Sequence, residues 1–268
     1  MIGTVPVPLS KASERPRPHE LEALRRAIQA IEKKAVTIEG AAAALPLGIA
    51  EIDQILGGGL MPAALHEIAA GNETQIAAAT GFILALVCRA PGRTVLWIAE
   101  DMTAPESGAP YGPGLDEIGL APERLIVVKA VHARDLLWAM EEALHCRAVG
   151  AVIGEVRSAR GIGDVEARRL SLAATERGGL ALLLRTTPTV KATPADTRWI
   201  VSPAASAPNR HGIGPPAFAV QLVRNCRGVL GSWMVEWNCV DQRFHLSSAH
   251  PQPVAMPAFD GSARAAVA

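Results

Sequence analysis

Around residue 70 the chain places a short apolar run, Leu65-His66-Glu67-Ile68, before a turn at Gly71 to Thr74 and an alanine-rich helix from Gln75 to Arg89. Strand, turn, helix is an arrangement that binds phosphate, because the N-terminus of the helix aims unpaired N–H groups at an anion. A loop that holds a nucleoside triphosphate needs more: a lysine for the β- and γ-phosphates and a hydroxyl for Mg²⁺, in the pattern G-x-x-x-x-G-K-[ST]. No lysine lies between Lys34 and Lys129. The backbone for an anion site is there, and its charge is missing.

Other residues with chemical potential are scattered. A buried-type run from Arg93 to Ala99 ends on Glu100-Asp101, and a second, Val149 to Val156, carries Glu155 near its end. Cys88, Cys146, Cys226 and Cys239 show no C-x-x-C spacing, and His132 and His145 have no partner at ligand spacing, so no metal site is expected. Cys88 and Cys146 fall in apolar helical stretches and read as reduced core thiols. Lys191, Arg198, Arg210, His211, Arg224 and Arg227 form a local basic cluster that could touch a phosphate backbone. Stacking groups near it are few, Trp199 and Phe218, and an exposed loop with scattered charge accounts for the same residues. Globally, 26 basic residues balance 26 acidic ones, so no net field draws the chain to nucleic acid or membrane.

The elements that must position these groups follow from periodicity. Ile49, Ile52, Ile55 and Leu56 recur at helical spacing and are stopped by Gly57-Gly58-Gly59. Apolar runs at 125–128 and 180–184 read as further strands, and 136–147 and the stretch before Gly178-Gly179 as helices. Alternating strands and helices of this kind imply a largely parallel sheet covered on both faces. Six prolines between Thr186 and Pro216 exclude a long helix there, with 198–202 open to a strand. Phe218 to Arg224 alternates as a strand, and Ser232–Trp237 with Arg243–Leu246 forms a hairpin turned at Asn238 to Gln242. Its Trp233 and Trp237 suit either sheet packing or a partner contact.

Residues 1–18 hold four prolines and read as a mobile arm. Residues 19–35 read as a helix with one apolar stripe, Leu21, Leu24, Ile28 and Ile31, and 36–248 as a single core domain. Residues 249–268 have no periodic face and read as a disordered tail. Neither a leader peptide nor an apolar run of about 18 residues is apparent, so a cytoplasmic protein without membrane contact is expected.

The stretch LGIAEIDQILGGGLMPAALHEIAAG resembles the entry to the RecA-like ATPase core, with Ile52-Asp53 for Leu-Asp and Leu56 to Leu60 matching without change. The resemblance implies an α/β fold: a RecA-like core with a mostly parallel central sheet flanked by helices, an N-terminal helix and a C-terminal β-hairpin. Aligned from Glu67-Ile68, it puts Ile76 and Ala77 where the lysine and the Mg²⁺ hydroxyl belong, Glu100 where a carboxylate positions water, and Glu155 where an aspartate holds the metal. Gly71, Asn72, Glu73, Thr74, Gln75, Ile76, Ala77, Glu100 and Glu155 would then line a degenerate nucleotide pocket. No cofactor is expected, since ATP and Mg²⁺ lose their usual ligands, and no residue is assigned as catalytic.

Within that superfamily, LGIAEIDQILGGGLMPAALHEIAAG, AAATGFILAL, TVLWIAED and WMVEWNCVDQRFHL together resemble the ImuA family of bacterial damage-induced mutagenesis. That resemblance implies a non-catalytic accessory of SOS-induced, error-prone translesion synthesis. Its partners would be an ImuB-type polymerase-like protein, RecA and an error-prone replicative-type polymerase, with weak DNA contact at Lys191, Arg198, Arg210, Arg224 and Arg227. Leu24, Ile28, Trp233 and Trp237 are the candidate partner contacts. Two alternatives remain open: a DNA-dependent ATPase with an unorthodox phosphate loop, and a RecA-fold adaptor such as a cell-division inhibitor.

Overall fold

The computed structural model describes residues 43–90, 94–100, 108, 110–146, 148–157, 162–177, 179–189, 191–206 and 214–247. The arm, the helix expected over 19–35 with Leu24 and Ile28, Arg210 and the tail lie outside the described residues.

In chain order the elements are α1 (Ala50–Leu56), β1 (Ala64–Ala70), a 3₁₀ turn (Glu73–Gln75), α2 (Ile76–Cys88), β2 (Thr94–Glu100), α3 (Gly112–Ile118), a second 3₁₀ turn (Pro122–Arg124) and β3 (Leu125–Ala130). Then come α4 (Ala133–His145), β4 (Val149–Val156), α5 (Asp164–Arg177), β5 (Leu180–Arg185), β6 (Thr197–Pro203), β7 (Ala217–Asn225), β8 (Gly231–Asn238) and β9 (Arg243–Leu246). All nine strands form one sheet in the order β3-β2-β4-β5-β1-β6-β7-β8-β9. The pairs from β3 to β6 are parallel, and β7, β8 and β9 close it as an antiparallel extension. This is the α/β architecture expected for a RecA-like core.

Both sheet faces are covered. One core gathers α1 and α2 over Ile68, Ile153, Leu182, Val201 and Val220, and the other gathers α4 and α5 over Leu65, Ile98, Val152 and Leu183. α2 is apolar on nearly every side because it lies in the first core. Its Phe82 ring stands 5.1 Å from Phe244, 5.8 Å from Phe218 and 6.2 Å from Trp199, which ties the helix to β6 and to β7 and β9 of the extension. On the other face, a Cβ at Gly154 would run into the Met140 side chain, so β4 carries glycine where α4 presses closest.

The Ile52 to Leu60 stretch is structural. Asp53 accepts from the backbone N–H groups of Leu47 (2.6 Å) and Gly48 (3.0 Å), folding the entering chain over the start of α1. Gly57, with φ 76°, is the left-handed cap of α1. Gly59, with φ 131°, lies so close to the Leu45 carbonyl that no side chain fits, and this allows the two-way bridge Leu45–Leu60 at 2.8 Å. In the proline-rich region, β6 is not marginal: it is a seven-residue strand between β1 and β7, deep in the sheet.

Candidate functional site

The carboxyl ends of parallel strands in an open α/β sheet are where ligands bind, and the expected pocket residues converge there. Between β1 and α2 the loop is a single tight turn. Gly71 N–H donates to Val201 O (3.0 Å) and Gln75 N–H to Asn72 O (3.0 Å). The Asn72 side-chain oxygen accepts from both Thr74 N–H (3.0 Å) and the Thr74 hydroxyl (2.7 Å). Gln75 and Ser202 close over Gly71 so tightly that a Cβ there would strike both. Three loop N–H groups thus end on protein acceptors. The exposed Glu73 adds a negative charge to the first turn, where the partial positive charge of a helix start would otherwise meet an anion.

Ile76 and Ala77 open α2 and line a cavity of about 560 Å³ together with Thr80, Trp97, Tyr111, Glu155 and Arg157. Glu155 is committed inside it: Oε1 receives Arg157 Nε at 3.1 Å and Oε2 receives Trp97 Nε1 at 3.1 Å. Glu100, at the end of β2, accepts the Arg157 backbone N–H at 3.0 Å. Both strand-end carboxylates therefore converge on Arg157, one on its guanidinium and one on its main chain. The donor set does not fit a Mg-nucleotide: the lysine and the hydroxyl are replaced by Ile76 and Ala77, and the metal-position carboxylate already holds a cation.

Three arginines of the expected basic cluster, Arg198, Arg224 and Arg227, serve another purpose. Glu67, wholly buried in β1, accepts Arg198 Nε at 2.8 Å, Arg185 Nη2 at 3.3 Å and the Thr193 hydroxyl at 2.8 Å. Arg198 also donates to the carbonyls of Thr189 and Lys191, each at 2.8 Å. Arg224 Nε donates to Ala195 O (2.8 Å), and Arg227 pairs with Asp196 at 3.4 Å. The arginines clamp the segment before β6 onto the sheet. Arg198 is 7% exposed, so its expected role as a nucleic-acid contact is corrected: it is the buried counter-ion of Glu67. Lys191 is exposed, and Arg224 and Arg227 are half-buried.

Trp237 is also corrected. Its side chain is fully buried, with Nε1 donating to Ile118 O at 3.0 Å and its ring 4.8 Å from Phe244. It is core rather than partner surface. Trp233 is half-buried and donates to Glu51 at 2.8 Å, fastening β8 to α1. Cys88 is a core thiol, pushed up to about 12 chiefly by burial. Cys146, expected to be its equivalent, is exposed just past the end of α4.

Sequence reading missed Arg157, Trp97 and the Glu67 network. A signal existed for Glu67, since a carboxylate inside an apolar strand requires a buried cation. Nothing local marked Arg157. Among the described residues no cluster of three metal-ligating side chains occurs, and no helix is long and apolar enough to cross a membrane.

No protein-family model matches the chain. It is similar to Protein ImuA of Caulobacter vibrioides, strain NA1000 / CB15N, at 31% identity over 198 residues, which cover 67% of this chain and 77% of that protein. The Protein ImuA of strain ATCC 19089 / CIP 103742 / CB 15 matches equally, at 31% over 198 residues. Identity at this level over most of both proteins means that the chain belongs to the ImuA family.

Proposed function

We propose that this ImuA-family chain serves SOS-induced, error-prone translesion synthesis as a RecA-like accessory that hydrolyses no nucleotide. It works by protein contacts with an ImuB-type polymerase-like protein, with RecA and with an error-prone replicative-type polymerase, and touches DNA at most weakly. One observation carries the non-catalytic part: Glu155, at the position of the metal-holding carboxylate, is bound by Arg157 and Trp97 inside the protein. Binding a triphosphate there would require separating that pair and supplying positive charge that bare N–H groups do not provide. Family membership supports the theme of damage-induced mutagenesis, and the partners follow from the resemblance.

Two measurements test the reading. Calorimetry of the full chain with Mg-ATP should detect no binding at low micromolar affinity. In cells, E155Q brought to the native protein level should sustain damage-induced mutation at the native frequency, because glutamine keeps an oxygen that can accept from Trp97 while losing the negative charge that a metal ligand at this place would supply. A dissociation constant at or below low micromolar, or an E155Q strain that mutates no more than a deletion strain at equal protein level, overturns it.

A further inference from the structure

We propose that a cleft beside α3, adjoining the nucleotide-type cavity at Gly114, receives a basic and partly apolar peptide segment of a protein partner. It rests on the reading that this chain works through protein contacts. The cleft encloses about 840 Å³ where α3, the start of β7 and the end of β8 meet. Ile118 and Cys239 line its apolar part, beside the backbone of the buried Trp237, and Pro215 and Pro216 supply a rigid wall. That volume falls in the range of about 300–1,000 Å³ typical of sites that enclose a ligand or a few side chains.

Its charge identifies the occupant. The two carboxylates that line it are Glu117 on α3 and Glu236 on β8. Among the described residues neither meets a lysine or arginine, and Glu236 takes only the Ser247 hydroxyl, at 2.6 Å. His245 faces Glu236 across the β8–β9 pair. Two carboxylates that meet no lysine or arginine among the described residues, beside an apolar floor, repel a phosphate backbone and an acidic peptide. They suit an arginine or lysine whose methylene stem lies along Ile118 and Cys239 while its cationic head reaches the carboxylates. Arginine fits best, because its fork can meet a carboxylate with two hydrogen bonds.

The test titrates the full chain against a fluorescein-labelled octapeptide of alternating arginine and leucine, read by anisotropy. A second peptide has glutamate for arginine, and a labelled oligothymidine is the third probe. The arginine peptide should bind at least about tenfold tighter than the glutamate peptide. E117Q/E236Q should weaken it by about tenfold or more without moving the thermal unfolding midpoint, since both substitutions keep size and glutamine at 236 still accepts from Ser247. Equal binding of the two peptides, or native affinity in the double variant, overturns the cleft. So does oligothymidine binding that E117Q/E236Q abolishes. Loss of the peptide preference with polymerase-partner association intact would remove the cleft and leave the accessory reading standing. Peptide binding by a chain that captures no polymerase-like partner would do the reverse.

Discussion

Arg157 and Glu155 are two residues apart on the chain and form an ion pair of 3.1 Å, with side chains only 14% and 11% exposed. An arginine thus occupies the neighbourhood that the RecA resemblance reserves for a metal ion. Removing one partner of a sheltered pair strands the other charge, whereas replacing both by apolar groups can be nearly neutral. R157M should therefore cost about 3 kcal/mol of stability, and E155L/R157M should recover most of that loss. Urea unfolding of the native, single and double variants checks this. A double variant as unstable as the sum of its parts would show that the two residues act independently.

Glu67 and Arg198 make the deeper pair. Their 2.8 Å contact lies between neighbouring strands, and Arg185 and Thr193 share the same carboxylate. Glu67→Ala leaves two guanidinium groups inside the sheet without their acceptor, and the expected cost is about 3–5 kcal/mol. Because the arginines also hold the segment before β6, proteolysis of Glu67→Ala should begin within 186–196. Native-like stability in that variant would contradict the assignment of Arg198 as a structural residue.

Gly59 gives a sharper steric test. At φ 131° it is in a region that L side chains avoid, and its position against Leu45 leaves no room for a Cβ. Gly59→Ala must break the Leu45–Leu60 bridge and should lower stability by several kcal/mol. Gly57→Ala meets chiefly the flexible Arg227 side chain and faces mainly the left-handed backbone cost of about 1–2 kcal/mol. Thermal melts of the two variants should rank in that order, and an equal or reversed ranking would discredit the bridge as the reason for the third glycine.

How far the sequence was legible depends on the range of the interaction. β2, β4 and β5 are largely apolar runs because both faces are covered, as is β1 apart from His66 and Glu67, and they could be read locally. The hairpin turn could too: the Asn238 side chain caps Val240 and Asp241 from within the turn itself. Arg198 could not, since its partner lies 131 residues away and an arginine after a proline-rich stretch looks solvated. Trp233 and Trp237 look alike in the sequence. Only the register of β8 against β9 puts Trp237 beside Phe244 in the core and leaves Trp233 reaching for Glu51.

His66 yields a pH prediction with a definite sign. It is wholly buried, with Nε2 2.8 Å from Met61 O and Nδ1 2.8 Å from the Thr197 hydroxyl oxygen. A carbonyl can only accept, so Nε2 carries the proton and Nδ1 accepts from Thr197, whose oxygen in turn accepts from Trp199 Nε1 at 2.9 Å. A second proton on the ring would place charge in the core and reverse that chain of donors. Burial accordingly holds the His66 pKa below its ordinary 6.5; the Met61 carbonyl and Asp196 oppose the shift and Arg227 adds to it. Above 6.5 the ring is neutral in both folded and unfolded chains and contributes no slope. As pH falls below 6.5, the unfolded chain takes up a proton that the folded chain refuses, so stability falls by up to about 1.4 kcal/mol per pH unit until the folded value is reached. Urea midpoints at several pH values between 7.5 and 5, compared between the native protein and His66→Gln, isolate the contribution because the carboxylates are common to both. The native slope should be the steeper below 6.5, and parallel slopes would mean that His66 accepts its proton in the folded core after all.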